Sequence, residues 1–300
     1  LLPPRFQRLS PFPSRRPMPE KNRQPSAKSA DPADAPTPFL AVSDLRKSMG
    51  TQEVLRGVDL EIKRGECVVI LGQSGEGKSV LLKHLIGLIA PDSGSIRIDG
   101  EEIVGLSERR LNPVRRKLGV LFQDGALFDS MTVAENVAFP LRERGIRDLD
   151  TLLAKVRAAL EVVGLEAHLE KMPINISGGM RKRVALARAI VTRPECIFYD
   201  EPTSGLDPIV ADSIDHLIRR LQRKFAITSV VVTHDMKSMF HIADRVAYLR
   251  GGRIYFYGTP DEIRASADPQ IQNFLEGRSQ DSLATHGATL DSLAEESGRD

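Results

Sequence analysis

The chain has 300 residues and a mass of 33.1 kDa, and its 41% hydrophobic and 27% charged residues are ordinary for a globular protein with a substantial core. Its 42 Lys and Arg nearly balance 40 Asp and Glu. This argues against a dedicated nucleic-acid-binding protein, because such proteins usually carry a large excess of positive charge. No uncharged run approaches the ~20 apolar residues of a membrane span. Two separated cysteines, Cys67 and Cys196, are too few for a disulfide framework or a zinc site, so we expect reduced core thiols.

The two ends of the chain differ in composition from the middle. Residues 1–38 hold ten of the 19 prolines and seven Lys or Arg against three Asp or Glu. Such a segment buries too little apolar surface to offset its ordering entropy, so we predict a disordered Pro/Arg-rich leader. Residues 276–300 hold six acidic and two basic residues. Two interpretations of this acidic tail stay open: it is flexible in solvent, or a partner orders it.

Strand and helix patterns alternate between these ends. A short strand is predicted at Phe39–Ser43, and the apolar run 66–71 has the length of a buried strand. A glycine-rich turn follows, and then the apolar positions of 79–89 have helical spacing. Further buried strands are predicted at 118–122, 196–199 and 229–233. This alternation predicts an α/β fold with a mostly parallel sheet.

Specific residues mark three helix starts and one hairpin. Thr132-Val-Ala-Glu135 and Thr259-Pro-Asp-Glu262 are capping boxes, in which the threonine and the glutamate satisfy each other's backbone N–H groups. Asp207 followed by Pro208 is typical of an N-cap with proline at the first helical position. Residues 245–258 predict a hairpin that turns at its central glycine pair.

One eight-residue stretch between a predicted strand and a predicted helix matches the phosphate-binding pattern G-x-x-x-x-G-K-[ST]. It comprises Gly72, Gln73, Ser74, Gly75, Glu76, Gly77, Lys78 and Ser79. The glycines let successive N–H groups point at phosphate oxygens, and the following helix presents its positive end to the same anion. The Lys78 ammonium would contact the β- and γ-phosphates, and the Ser79 hydroxyl would bind Mg²⁺.

An acidic pair, Asp200-Glu201, follows the predicted strand 196–199. Ligands of open α/β sheets bind at the carboxyl ends of the strands, so both carboxylates are expected near the phosphate loop. Asp200 would hold Mg²⁺, and Glu201 would orient or deprotonate the attacking water.

Six motifs in chain order resemble those of the nucleotide-binding subunits of ATP-binding-cassette (ABC) transporters. Two are the phosphate loop and the acidic pair. The other four are Gln123, similar to the Q-loop glutamine; Ile176-Ser-Gly-Gly-Met180, similar to the LSGGQ signature; Ser204-Gly-Leu-Asp207, which resembles the D-loop; and His234, similar to the switch histidine. The resemblance covers residues 39 to about 265.

This resemblance implies an α/β fold of the P-loop NTPase (ABC ATPase) type. The ATP-binding domain would span 39–275, with a mostly parallel core sheet, an antiparallel β subdomain and a helical signature subdomain at about 124–192. It also implies ATP hydrolysis with ATP and Mg²⁺ as cofactors. Besides Glu201, the catalytic residues would be His234, at the γ-phosphate, and Gln123, which would sense the metal or the water.

In this family two subunits face head to tail, and the signature of one closes the phosphate loop of the other. The chain has one loop and one signature, so the resemblance implies a homodimer with two composite sites. Ser177, Gly178 and Gly179 would begin a helix over 180–191 and donate N–H groups to the γ-phosphate across the interface. Met180 replaces the usual signature glutamine. Met49 stands where the family stacks an aromatic ring on adenine, so weaker base stacking is expected.

The segment 122–141 resembles the ATPases of the Mla and Mce lipid transporters of double-membrane bacteria. That resemblance implies phospholipid cargo, an integral membrane permease, a periplasmic lipid-binding subunit and a small cytoplasmic partner, with no nucleic acid. The subunit would then sit at the cytoplasmic face of the inner membrane. Leu127, Phe128 and Met131 either dock a permease helix or belong to the subdomain core.

Two alternatives to phospholipid transport stay open. One is an ABC ATPase for another cargo, a lipoprotein or a small solute. The other is a non-transport ABC ATPase acting on nucleic acid. Such ATPases generally carry paired cassettes or a long coiled-coil insertion, and the 99 residues from Lys78 to Ser177 leave no room for that insertion.

Overall fold

The computed structural model describes residues 37–277. Nearly all of the predicted leader and acidic tail lie outside these residues, and the domain boundaries drawn from the sequence stay predictions. Among the described residues, no helix is both long and apolar enough to cross a bilayer.

Residues 37–277 form ten strands and nine α-helices. The strands are β1 (Leu40–Met49), β2 (Gln52–Ile62), β3 (Cys67–Leu71), β4 (Ser93–Ile98), β5 (Glu101–Glu102), β6 (Leu118–Leu121), β7 (Cys196–Asp200), β8 (Thr228–Val232), β9 (Arg245–Arg250) and β10 (Arg253–Gly258). The helices are α1 (Lys78–Leu85), α2 (Glu108–Arg115), α3 (Val133–Glu143), α4 (Leu149–Val162), α5 (Gly178–Ile190), α6 (Pro208–Phe225), α7 (Met236–Ile242), α8 (Pro260–Arg264) and α9 (Pro269–Leu275).

The strands form two sheets. A six-stranded sheet has the order β10-β9-β3-β8-β7-β6, in which only the β9–β10 hairpin is antiparallel. A four-stranded antiparallel sheet has the order β2-β1-β4-β5. The predicted α/β fold with a mostly parallel core sheet and a separate antiparallel sheet is confirmed.

The central strand β3 shows where the core lies. All five of its residues are buried, and alternate side chains enter different clusters. Cys67, Val69 and Leu71 pack with the helices α3–α6, whereas Val68 and Ile70 pack with α1 and the antiparallel sheet. The six-stranded sheet is therefore apolar on both faces, as expected for parallel strands covered on each side. Both cysteines are buried free thiols, as predicted.

Strand β2 was missed in the sequence because its alternation is interrupted. Its buried positions are Leu55, Val58, Leu60 and Ile62, so the two-residue period slips by one between the first two. Gly57 lies in that gap with a φ of 95° and the pairing with β1 shifts register there. A Cβ at Gly57 would lie 2.7 Å from Asp44 Oδ1, so this bulge favours glycine.

Helix α1 ends at Leu85, so the expectation of a helix to residue 89 was wrong. Gly87 adopts a φ of 69°, its N–H bonds to the His84 carbonyl, and the Leu88 N–H bonds to the Lys83 carbonyl. These are the two hydrogen bonds of a Schellman motif, which ends a helix at a left-handed glycine. Leu88 is consequently 54% exposed instead of packed on the helix face.

The other helix starts follow their caps. Thr132 and Thr259 form both halves of the predicted capping boxes, and Asp207 accepts N–H groups of Ile209 and Val210. Helix α5 begins at Gly178, two residues before its predicted start, because Ser177 is the N-cap. The helices α3, α4 and α5 occupy the segment predicted to be the helical subdomain.

Candidate functional site

The phosphate loop joins β3 to α1, and its glycines are set by geometry. Gly75 and Gly77 have φ values of 86° and 95°, which residues with a Cβ rarely adopt. A Cβ at Gly77 would lie 2.9 Å from Val54 Cγ1, and one at Gly72 would lie 2.7 Å from the Leu249 carbonyl oxygen. The loop is therefore held between β2 and β9, with the first N–H groups of α1 available to an anion.

Lys78 is the first residue of α1, and its side chain, which reaches back into this loop, is only 8% exposed. Its Nζ donates to the carbonyl oxygens of Gly72 at 2.8 Å and Gln73 at 2.9 Å. Burial lowers the pKa of Lys78, and the carboxylates of Glu201, Glu76 and Asp200 oppose that shift. The ammonium is thus preorganised between the loop and the acidic strand end, where phosphate oxygens can replace the carbonyls.

Asp200, the last residue of β7, faces Ser79. Burial and the adjacent Glu201 charge raise the pKa of Asp200, and a hydrogen bond from the Ser79 hydroxyl opposes this. Asp200 Oδ1 is buried without a hydrogen-bond partner among the described residues. A carboxylate oxygen with no partner beside a hydroxyl is a donor set that a hard divalent cation prefers.

Glu201 and His234 meet because β7 and β8 are parallel neighbours whose carboxyl ends share an edge. His234 Nδ1 lies 2.9 Å from Glu201 Oε1, and the Thr233 hydroxyl donates to Oε2 at 3.2 Å. The Glu201 side chain is 13% exposed, whereas that of His234 is 66% exposed. Glu201 also has a φ of 45°, a conformation that carries strain in a residue with a Cβ.

The similarity of this chain to a known protein family identifies the kind of site that these residues form. The family described as "ABC transporter" matches residues 55–204, a range that begins in β2 and includes the phosphate loop and the acidic pair. The chain belongs to the ABC transporter family. It is an ATPase subunit, because the cassettes of this family bind and hydrolyse ATP.

Several curated relatives share about two fifths of their residues with this cassette. The intermembrane phospholipid transport ATP-binding protein MlaF of Escherichia coli (strain K12) is 41% identical over 239 residues, 80% of this chain and 89% of that protein. The probable ribonucleotide transport ATP-binding protein mkl of Mycobacterium leprae is 42% identical over 239 residues, 80% of this chain and 69% of that protein. The methionine import ATP-binding protein MetN of Rhizobium johnstonii is 40% identical over 243 residues, 81% and 67%.

Solved structures share the fold as well. The dimeric post-hydrolysis structure of the ATP-binding cassette MJ0796 bound to ADP and Pi has a TM-score of 0.68 at 33% identity, covering 74% of this chain and 98% of that one. CbiO1 of Clostridium perfringens has a TM-score of 0.71 at 31% identity, covering 85% and 99%. These similarities confirm the predicted ABC ATPase fold.

The predicted signature, residues 176–180, lies at the start of α5. Ser177 is exposed, and its hydroxyl accepts the Met180 N–H at 3.3 Å. Gly178 and Gly179 are the first two helical residues. A Cβ at Gly179 would lie 2.5 Å from Val210 Cγ1 on α6, so glycine is required for this close approach. The first turn of α5 thus packs against the first turn of α6.

Two further predicted residues lie at exposed positions. Gln123 follows β6 with an exposed side chain. Met49, the last residue of β1, is 48% exposed beside Gly50, which has a φ of 62°. Neither side chain is tied into the core, so each is available to a ligand.

The sequence did not single out Lys182, which belongs to this site. It lies on α5, is 6% exposed, and donates from Nζ to the backbone carbonyls of both Gln123 and Glu201. Its neighbours Arg181 and Arg183 carry the same charge, and no sequence pattern separates the buried member of this basic triplet from the other two.

A polar network lies behind the His234 loop and beside a cavity of about 400 Å³. The Ser238 hydroxyl donates to Asp215 Oδ2 at 2.7 Å and lies 3.4 Å from the Thr203 hydroxyl. Asp215 is 3% exposed, and its Oδ1 has no partner among residues 37–277. The cavity is lined by Glu201, Thr203, Ser204, Gly205, His234, Asp235 and Met236.

Burial raises the pKa of Asp215 from 3.8 to about 6. The folded chain then binds this proton more tightly than the unfolded chain, so the free energy of unfolding falls as the pH rises between these two values. Asp215→Asn keeps an acceptor for Ser238 but cannot ionise. We expect it to raise the thermal unfolding midpoint at pH 8 and to leave it unchanged near pH 3.8.

Thermal unfolding between pH 3.5 and pH 8 (roughly the window set by the two pKa values) measures this difference. Asp129→Asn, at an exposed position in the turn before α3, is the matched control and should show little change. An equal gain at every pH in Asp215→Asn would contradict the assignment, because a packing effect does not depend on this proton.

Proposed function

We propose that this cassette powers phospholipid movement between the membranes of a double-membrane bacterium. The observation that carries the proposal is the match to the phospholipid transport protein MlaF at 41% identity over 89% of its length. The ribonucleotide and methionine relatives are matched over 69% and 67% of theirs. The segment 122–141, which resembles the Mla and Mce ATPases, supports the same choice.

ATP and Mg²⁺ fit the residues at the phosphate loop. The loop N–H groups and Lys78 would hold the β- and γ-phosphates. Ser79, Asp200 and Gln123 would hold Mg²⁺, and the unpartnered Asp200 Oδ1 is the atom that supports this. When bound, the ion would neutralise charge on the phosphate oxygens.

Within this proposal, Glu201 accepts a proton from the attacking water. Its carboxylate is held by Thr233 and His234 at the edge of the sheet where the phosphate loop begins. His234 is the more exposed partner, so it can turn from Glu201 to the γ-phosphate when ATP binds. Gln123 would report the presence of the metal or the water to the segment that follows it.

The proposed unit is a homodimer with two composite sites. Ser177 at the start of α5 is exposed, and the post-hydrolysis relative MJ0796 is dimeric with ADP and Pi bound. Ser177, Gly178 and Gly179 would therefore complete the phosphate loop of the sister subunit.

The permease would dock at the turn before α3. Phe128 is 40% exposed with its ring centroid 4.8 Å from that of Phe139, whereas Leu127 packs against the helical core. The exposure of Phe128 supports a role in docking the permease, whereas the packing of Leu127 supports a role in the subdomain core. The assembly would include an integral permease, a periplasmic lipid-binding subunit and a small cytoplasmic partner at the cytoplasmic face of the inner membrane.

Purification of the tagged full chain from detergent-solubilised membranes tests the cargo. We expect a permease to co-purify and mass spectrometry to find phospholipid enriched over a mock purification. Enrichment of a lipoprotein or a small solute with the permease would favour an ABC transporter of another cargo. Recovery of ribosomes or DNA without a permease would show that the transporter proposal is wrong.

A further inference from the structure

Lys182 connects two segments that the proposed function assigns to hydrolysis. Its Nζ donates to the Gln123 carbonyl oxygen and, at 3.2 Å, to the Glu201 carbonyl oxygen. These residues follow β6 and β7, which are parallel neighbours paired at Leu121 and Tyr199. Each carbonyl therefore lies just past the end of its strand. The hydrogen bonds between neighbouring strands end there, so these carbonyls need other donors.

The contact with Glu201 matters because of that residue's backbone. Its φ of 45° is disfavoured for any residue with a Cβ, so surrounding contacts must hold it. The Glu201 N–H donates to the Val232 carbonyl at 2.9 Å, and Lys182 binds the carbonyl on the other side of the same residue. The Ser204 N–H also donates to this carbonyl, at 3.2 Å. Together these hydrogen bonds fix the direction in which the Glu201 side chain leaves the strand.

Packing alone does not account for a lysine at this position. Burial lowers the pKa of Lys182, and the carboxylates of Asp124, Asp200 and Glu201 oppose the shift. An apolar side chain of similar length would fill the space without the desolvation penalty of a buried charge. The positive charge of Lys182 therefore stabilises the two loops to which it donates hydrogen bonds, and it does not stabilise the core.

We propose that Lys182 is a positioning residue that fixes Gln123 and Glu201 relative to each other for hydrolysis. The inference rests on the proposed role of Glu201 in activating water. Lys182 is on α5, the helix whose first turn is the signature, so a rigid element joins the signature to the water-activating residue of the same chain. A displacement of that helix would move both loops together.

Three substitutions of Lys182 test this in the full chain. Lys182→Met removes charge and donor, and we expect kcat to fall about 10–100-fold, since misplacing a catalytic group by an ångström has effects of that size. The KM for MgATP should change by less than about threefold, because the contacts to ATP are made by other residues. Lys182→Arg keeps the donors and should recover most of kcat.

Arg183→Met is the matched control on the same helix. Arg183 donates to the Ser213 hydroxyl on α6 and binds neither loop, so its removal should leave kcat near the wild-type value. If Lys182→Met does not fold, as judged by its thermal unfolding, Lys182→Leu carries the same expectation, because its shorter side chain also lacks charge and donor. A kcat within about twofold of wild type in the folded variant overturns the proposal.

A double-mutant cycle with Glu201→Gln distinguishes positioning from general damage. If Lys182 acts through Glu201, Lys182→Met should reduce single-turnover hydrolysis much less in the Glu201→Gln background than in the wild type. An equal reduction in both backgrounds overturns the inference while leaving the role of Glu201 intact. A Glu201→Gln variant with near wild-type turnover would instead contradict the proposed function itself.

Discussion

Glu201→Gln is expected to lower the rate of ATP hydrolysis by about 10²–10⁴-fold, the contribution of a positioned general base. The amide has nearly the same shape and can still accept a hydrogen bond from Thr233, so the backbone and the phosphate loop should be unchanged. ATP should bind with undiminished affinity and accumulate on the protein. Steady-state phosphate release measures the loss of hydrolysis, and the retention of radiolabelled ATP measures ATP binding.

Glu195→Gln is the control for that experiment. Glu195 precedes the other end of β7 and pairs with Arg64 at 2.8 Å on the surface, so its neutralisation should leave turnover near wild type. Turnover of Glu201→Gln close to the wild-type rate would mean that another group activates the water.

A pair of inactive variants is expected to restore activity when combined in one dimer. Lys78→Met removes the ammonium of the phosphate loop, and Ser177→Arg places a bulky charge at the signature. Each homodimer should lose at least about 10²-fold in turnover, because each loses a group preorganised toward the phosphates. In the heterodimer, one phosphate loop and the opposing signature are both intact. Co-expression with two affinity tags and purification on both should recover up to about half of the wild-type rate.

The control places both substitutions in one chain. A heterodimer of the wild type with the double variant Lys78→Met/Ser177→Arg contains the same changes, yet each composite site now lacks one part. It should stay inactive. The opposite pattern, activity in this arrangement and none in the first, would show that each chain completes its own site.

The sequence predicts the parts of this cassette that depend on local chemistry. The phosphate loop, the capping boxes at Thr132 and Thr259 and the acidic pair after β7 follow from residue type and spacing. Glu201 and His234 lie close together because they follow two neighbouring parallel strands. The order of the motifs along the chain implies that order of strands. Their roles in hydrolysis stay predictions that the experiments above address.

Features set by tertiary contacts could not be predicted in this way. The burial of Lys182 depends on two loops that are 59 and 19 residues away in sequence. The slipped period of β2 depends on its pairing with β1 around Gly57. The early end of α1 is different, because Gly87 was a visible stop signal that the apolar pattern of the following residues obscured.

The burial of the two native thiols has a practical consequence. Cys67 and Cys196 are fully buried, and burial raises the pKa of both, so neither presents a reactive thiolate to a reagent in solution. A single cysteine introduced at an exposed position, such as Ile174 at 84% exposure before the signature, would then be the reactive thiol of the folded chain. Fluorescent or spin labels could report subunit closure in a protein whose own cysteines are left in place.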